Sequence, residues 1–95
     1  MEIQSIWHKA LWRLFLEGRA KGLVEPDRLA RMLAYISLVA AFDELLVPPN
    51  YGFHALTGDR RGTFAMTVTR NWRLTFVKID DQVVSELDLE DYHGA

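Results

Sequence analysis

The sequence predicts an α+β fold, with two N-terminal helices packed on one face of a twisted, mainly antiparallel sheet of four to five strands. Two observations carry this expectation. The apolar residues repeat at helical spacing before Val47 and at a period of two after Asn50. Between them lies the loop-rich join of the chain, Val47-Pro48-Pro49-Asn50. Size supplies a third argument: 95 residues make one domain with one modest core. The whole chain, 1–95, is therefore read as a single domain in which the helices and the sheet share that core.

In the first half, Trp7, Leu11, Leu14 and Phe15 fall at i, i+4, i+7 and i+8, and Gly18 is a stop signal. A second helix begins near Pro26, whose missing N–H suits a first turn. Leu29, Met32, Leu33, Ile36 and Ala40 mark its apolar face, widened by Val39 and Phe42. The two form a helical hairpin. Trp12 and Leu16 fall off the apolar face of the first helix, surplus to the core, and such exposed apolar side chains mark a partner surface.

In the second half, Phe64, Met66 and Val68 alternate with Thr63, Ala65 and Thr67, and Trp72, Leu74 and Phe76 alternate with Arg73, Thr75 and Val77. Val83, Ser85, Leu87 and Leu89 alternate with Val84, Glu86 and Asp88. A strand over Tyr51–Leu56 precedes these, and Ile3–Trp7 is a candidate for one more. The hairpin at Thr69-Arg70-Asn71 has two registers. A two-residue loop sets Val68 against Arg73, whereas a three-residue loop pairs Val68 with Trp72, Met66 with Leu74 and Phe64 with Phe76. The second buries three apolar cross-strand pairs and is favoured. It turns Arg73 to the face away from the helices. There its truncation is expected to cost no more than an ordinary surface substitution, about 0.5 kcal/mol.

Composition excludes several classes of function. No cysteine is present, so there is no disulfide scaffold, thiolate metal site or cysteine nucleophile. No apolar run approaches the length of a membrane span, and the N-terminus lacks the pattern of a signal peptide, so a cytoplasmic protein without membrane contact is expected. The net charge is −2, but the charge is divided: Arg60, Arg61, Arg70 and Arg73 cluster, and an acidic stretch runs from Asp80 to Asp91. No histidine pair at i, i+4, calcium loop or glycine-rich phosphate loop occurs, so neither metal nor cofactor is expected.

Three histidines remain to be explained. His8 opens the first helix and reads as a solvated surface residue. His54 and His93 lie in the sheet half, with Asp91, Tyr92 and Arg73 for company. This set suits metal-free RNA cleavage, in which the 2′-hydroxyl attacks the adjacent phosphorus. That reaction needs a base, an acid and a cation for the phosphoryl oxygens. Histidine suits the proton transfers and arginine the phosphate, while a tyrosine ring can stack an unpaired base. The tryptophans Trp7, Trp12 and Trp72 read as core or partner-interface residues, and Glu90-Asp91 as a solvated strand end.

Three segments together resemble the HigB branch of the RelE/ParE toxin superfamily. They are Tyr51-Gly52-Phe53-His54-Ala55-Leu56-Thr57-Gly58-Asp59-Arg60-Arg61-Gly62, Asn71-Trp72-Arg73-Leu74-Thr75-Phe76 and the ending Glu90-Asp91-Tyr92-His93, with His8-Lys9-x-Leu11 and Leu14-Phe15-x-x-Gly18 fitting at the N-terminal end. The resemblance implies a RelE-like fold and the toxin of a bacterial type II toxin–antitoxin pair, a ribosome-dependent endoribonuclease that cuts translated mRNA. It implies a HigA-like helix-turn-helix antitoxin, with the ribosome and mRNA as further partners and no direct DNA binding by this chain. Carried over by position, His54, Arg73, Asp91, Tyr92 and His93 are the catalytic candidates, with base and acid unassigned between the histidines. Thr57, Arg60, Arg61 and Arg70 are the candidate RNA contacts. The chain has Thr57 where many members carry lysine, and its arginine at Arg70 falls one residue beyond the usual position, Thr69. Both departures remove positive charge. They keep open a catalytically weakened module that mainly binds its antitoxin, beside a ParE-like gyrase inhibitor, which the Asp-Tyr-His ending disfavours.

Overall fold

A computed structural model describes residues 1–92. Its elements are β1 (Glu2–Ile3), α1 (Lys9–Glu17), α2 (Pro26–Leu38), β2 (His54–Ala55), β3 (Thr63–Thr67), β4 (Trp72–Asp80) and β5 (Val83–Asp91), with short 3-10 helices at Phe42–Leu46 and Gly58–Arg60. The five strands form one mixed sheet in the order β1-β5-β4-β3-β2. All its pairings are antiparallel except β1 with β5.

Helix α1 starts two residues after Trp7, because His8 caps it. The backbone at His8 is extended, and Nδ1 accepts from the Leu11 N–H at 3.2 Å. His8 is thus a structural residue and not the merely solvated one expected. Trp7 belongs to the strand side of this boundary: its N–H donates to Leu87 O at 2.7 Å, and its side chain is 66% exposed. The apolar spacing that included Trp7 began two residues before α1, whose opening falls at His8 as expected. Gly18, with φ 69°, closes the helix in the left-handed conformation.

Pro26 opens α2, and Leu29, Met32, Leu33 and Ile36 form its buried face. The helix ends at Leu38, so Ala40 lies beyond it and is exposed, whereas Phe42 is buried from the 3-10 helix that follows. A single core joins Leu11, Leu29, Met32, Leu33 and Ile36 to Met66, Leu74, Phe76, Val84, Leu87 and Leu89. Phe42 extends it edge-on to Phe64 at 4.9 Å between ring centroids, and Phe53 stacks on Phe64 at 5.4 Å.

The β3–β4 hairpin has the three-residue loop. Phe64 pairs with Phe76, Met66 with Leu74 and Thr67 with Arg73, and the Val68 N–H bonds Trp72 O at 3.0 Å. Two strand expectations change. The segment Tyr51–Leu56 is a strand only at His54–Ala55, because Tyr51 and Gly52 turn with φ of 51° and 67°. A side chain on Gly52 would also meet the Thr67 hydroxyl at 2.9 Å. In β5 the core positions are Val84, Leu87 and Leu89, not an unbroken alternation from Val83. A ladder shift opposite Thr75–Val77, with Glu86 at φ 57°, inserts the extra residue of a bulge. Ser5 secures this point: its hydroxyl accepts from the Glu86 N–H at 2.9 Å and pairs with Ser85 Oγ at 2.7 Å.

The cap yields a direct test. His8→Ala is expected to destabilise the fold by about 1 kcal/mol and His8→Asp to recover most of it, since either acceptor satisfies the first-turn N–H. Urea denaturation of the three proteins decides it, and an unchanged midpoint for His8→Ala would remove the cap from the account.

Candidate active site

The residues of β3, β4 and β5 that alternate with the core positions make up the second face of the sheet: Thr63, Ala65 and Thr67, then Arg73, Thr75 and Val77, then Asp88 and Glu90. The register brings Arg73 beside Glu90 and Thr75 beside Asp88. A cleft of about 310 Å³ opens on this face, with Trp7 and Val77 at its edges and Glu86, Asp88 and Glu90 opposite Arg60.

Arg60 is exposed but held. It comes from the β2–β3 connection and reaches past β4 to grip Glu90 in a fork, Nη1 to Oε1 and Nη2 to Oε2, both at 2.7 Å. The Thr75 hydroxyl, between them on β4, donates to the same Glu90 Oε2. The Arg60 hydrogen bonds lower the Glu90 pKa below its ordinary 4.5; burial opposes this, and the Thr75 hydrogen bond and the nearby positive charge reinforce it. The same bond raises the Arg60 pKa. Glu90 is therefore the anchor of a network and not the solvated strand end expected, and Thr75 joins it.

Arg73 lies on the expected face but is half-buried and engaged. Its Nη1 donates to Thr69 O at 2.7 Å, Trp72 O at 3.1 Å and Arg70 O at 3.2 Å, closing the hairpin loop. Its guanidinium carbon sits 5.2 Å from the centroid of the Tyr92 ring. Truncating it removes these bonds, so its stability cost exceeds that of the free surface residue first expected. Tyr92 is fixed from a second side, its N–H donating to Asn71 O. Asp91 is the last residue of the ladder, opposite Trp72.

His54 is exposed, with Nδ1 at 2.9 Å from Gly52 O. A carbonyl oxygen only accepts, so Nδ1 carries the proton and the neutral ring holds its lone pair on Nε2. In the ladder His54 is level with Ala65, Thr75 and Asp88. That is three strand spacings from β5, about 14 Å. The histidine and Tyr92 thus approach the face from opposite sides, with Arg73 on β4 between them, whereas Asp91, paired with Trp72, alternates to the other side of the sheet. Thr57, Arg61 and Arg70 are all exposed, Arg70 at the hairpin tip. His93 lies outside the described residues.

Trp12 and Leu16 are 41% and 58% exposed and border a small groove with Ile3, Ile6 and Phe15. Trp7 on the cleft edge and the Thr75–Glu90 pair were not singled out from sequence as site residues. The alternation that places Arg73 on this face places Thr75 and Glu90 there too, and that was the signal available for them.

The chain belongs to the HigB-like family, RelE-like toxins of type II toxin–antitoxin systems, whose profile matches residues 4–93. Its relative Endoribonuclease HigB of Proteus vulgaris is 38% identical over 93 residues, spanning 96% of this chain and 99% of that one. The solution structure of a conserved hypothetical protein from Helicobacter pylori is more distant, with TM-score 0.40 and 14% identity over 95% of this chain and 94% of that one. As a type II toxin, the protein has an antitoxin partner. Among the described residues, no helix is long and apolar enough to cross a membrane.

The clasp has a pH signature. Because the Glu90 pKa is lower folded than unfolded, its contribution is present above about 4.5 and is lost as pH falls through the folded value. With the Arg60 and Glu90 side chains 43% and 24% exposed, screening holds that contribution to about 1 kcal/mol or less. The melting temperature of the parent should exceed that of Glu90→Gln by a few degrees at about pH 6, and the gap should narrow progressively as pH falls below about 4.5. A gap independent of pH would show that the pair does not bind in this way.

Proposed function

We propose that this toxin is an endoribonuclease that cuts translated mRNA on the ribosome, in the cytoplasm, by metal-independent acid–base chemistry. The observation that carries the reading is Arg73, placed on the second face of the sheet by the hairpin register and stacked on Tyr92. Its Nε and Nη2 have no acceptor among the described residues, which leaves a donor fork for a phosphodiester. On this reading the two helices cover one face of the sheet and RNA lies across the other.

The reaction follows from the side chains. A histidine takes the proton of the 2′-hydroxyl as its oxygen attacks phosphorus, and the second histidine supplies a proton to the departing 5′-oxygen. His54, with its lone pair on Nε2, suits the first role, and His93 takes the second. Arg73 bears the charge that develops on the phosphoryl oxygens. Tyr92 stacks a base and Asp91 orients its neighbour. The exposed Arg61 and Arg70 add phosphate contacts beside Thr57. The relative's name, Endoribonuclease HigB, supports this chemistry. The net charge of −2 supports delivery by the ribosome, because the protein has little pull of its own on a free polyanion.

The test is cleavage of ribosome-bound mRNA against free RNA, with mRNA 5′ ends mapped after the chain is induced alone. Cutting on ribosomes only is expected. Arg73→Ala should lower the rate on the order of a hundred- to a thousand-fold, at a stability cost of about 1–2 kcal/mol for its carbonyl bonds. Efficient cutting of free RNA, or full toxicity of Arg73→Ala, would refute the reading. A second reading, a module that binds its antitoxin with weakened catalysis, draws support from Thr57 and from the engagement of both Arg60 and Arg73 within the protein. Growth that continues normally on induction favours that reading.

We infer that the antitoxin, a HigA-like helix-turn-helix protein, docks at Trp12 and Leu16. Trp12→Ala should weaken toxin–antitoxin binding by about ten-fold or more. Unchanged affinity by calorimetry would move the interface elsewhere.

A further inference from the structure

The two sides of the candidate site are carried by different parts of the sheet. His54 is on β2, whereas Asp91 and Tyr92 end β5, with β3 and β4 between. Acid–base cleavage needs these groups at a fixed separation across one phosphodiester, and an error of about 1 Å in such placement can cost a hundred-fold in rate. The sheet fixes the strands, but the connection after β2 leaves the sheet at Thr57 and returns only at Thr63. The Leu56 N–H to Thr63 O bond of 2.9 Å closes its base, but the bonds within it are long, with the Arg60 N–H to Thr57 O and the Arg61 N–H to Gly58 O both at 3.3 Å.

The clasp supplies what this connection lacks. Arg60 and Glu90 meet through two bonds of 2.7 Å, and Thr75 adds a third donor to the same carboxylate. The link starts five residues after β2 and ends on the residue next to Asp91. We propose that Glu90 is a positioning residue: by gripping Arg60 and Thr75 together, it sets the spacing between the His54 side of the cleavage site and the Asp91–Tyr92 side. This rests on the ribonuclease reading above. Stability alone does not explain the arrangement, because ion pairs as exposed as this one contribute little. The fork with an added hydroxyl instead fixes the carboxylate in one orientation.

The experiment compares the parent with Glu90→Gln and with the exchanged pair Arg60→Glu/Glu90→Arg. It measures cleavage of ribosome-bound mRNA and amide hydrogen exchange at residues 57–62 and 91–92. In Glu90→Gln, kcat should fall on the order of a hundred-fold while KM changes by less than about three-fold. Exchange should speed up in both segments, and the exchanged pair should recover a substantial part of kcat. Unchanged kcat in Glu90→Gln overturns the proposal, as does an exchanged pair no better than Glu90→Gln. A lower KM with kcat kept also overturns it, since that result would make Glu90 a mask over an RNA-binding Arg60. If the parent itself does not cut, the ribonuclease reading fails, and exchange alone decides the positioning claim. Faster exchange in Glu90→Gln then sustains it, and unchanged exchange refutes it.

Discussion

The pairing of Phe64 with Phe76 and of Met66 with Leu74 governs the arrangement of the site. Side chains alternate across a strand, so a slip of β4 by one residue would turn Leu74 and Phe76 away from the core and Arg73 into it. No competing register buries as much apolar surface. With the pair fixed, Thr67, Arg73 and Thr75 share the opposite face, and β5 follows in register with Glu90 beside Arg73. The phenylalanine cluster around Phe42 and Phe53 thus does more than stabilise the fold. It holds the register that determines which polar residues meet on the other side.

What could be read from the sequence, and what could not, separates along this line. The hairpin register was legible because two alternating runs flank a short loop and one alignment satisfies both. The faces of α2 were legible because four large apolar residues recur at helical spacing over its length. The bulge at Glu86 was not: Val83 and Val84 are adjacent valines, so either phase of β5 puts an apolar residue inward. The start of α1 was legible at His8, but not His8's role as its cap, because histidine is a residue type seldom read as one. The Arg60–Glu90 clasp spans 30 residues and depends on the path of a connection over the sheet, which no local pattern records. The face that Arg73 takes was therefore legible, and the bonds that engage it were not.

The charges on that face bear on how a nucleic acid would be received. Glu86, Asp88 and Glu90 line the cleft against Arg60. A phosphate approaching from solvent meets carboxylates as well as guanidinium groups, which fits a net charge of −2 and argues against affinity for RNA at large. On the proposed reading this is an advantage in specificity. A toxin that does not bind every transcript acts where the ribosome presents one, and the ribosome bears the cost of concentrating substrate.

The two engaged arginines are not equivalent, and their bonds indicate which would yield to a phosphodiester. Arg73 donates through Nη1 to three neutral backbone carbonyls. Arg60 donates through both Nη atoms to a carboxylate that also receives the Thr75 hydroxyl. The Arg60 pair carries opposite charges on both partners, whereas the acceptors of Arg73 are neutral, and a bidentate pair must lose both bonds together. On the proposed reading a phosphate would engage the remaining donors of the Arg73 fork without breaking its loop contacts, with the Tyr92 ring 5.2 Å away. To reach Arg60 it must expel a carboxylate of like charge from an equally good fork. Two arginines, one on β4 and one on the β2–β3 connection, are thereby sorted by their acceptors: on the proposed reading Arg73 is the group that receives the substrate, and Arg60 is part of the frame that holds the site in shape.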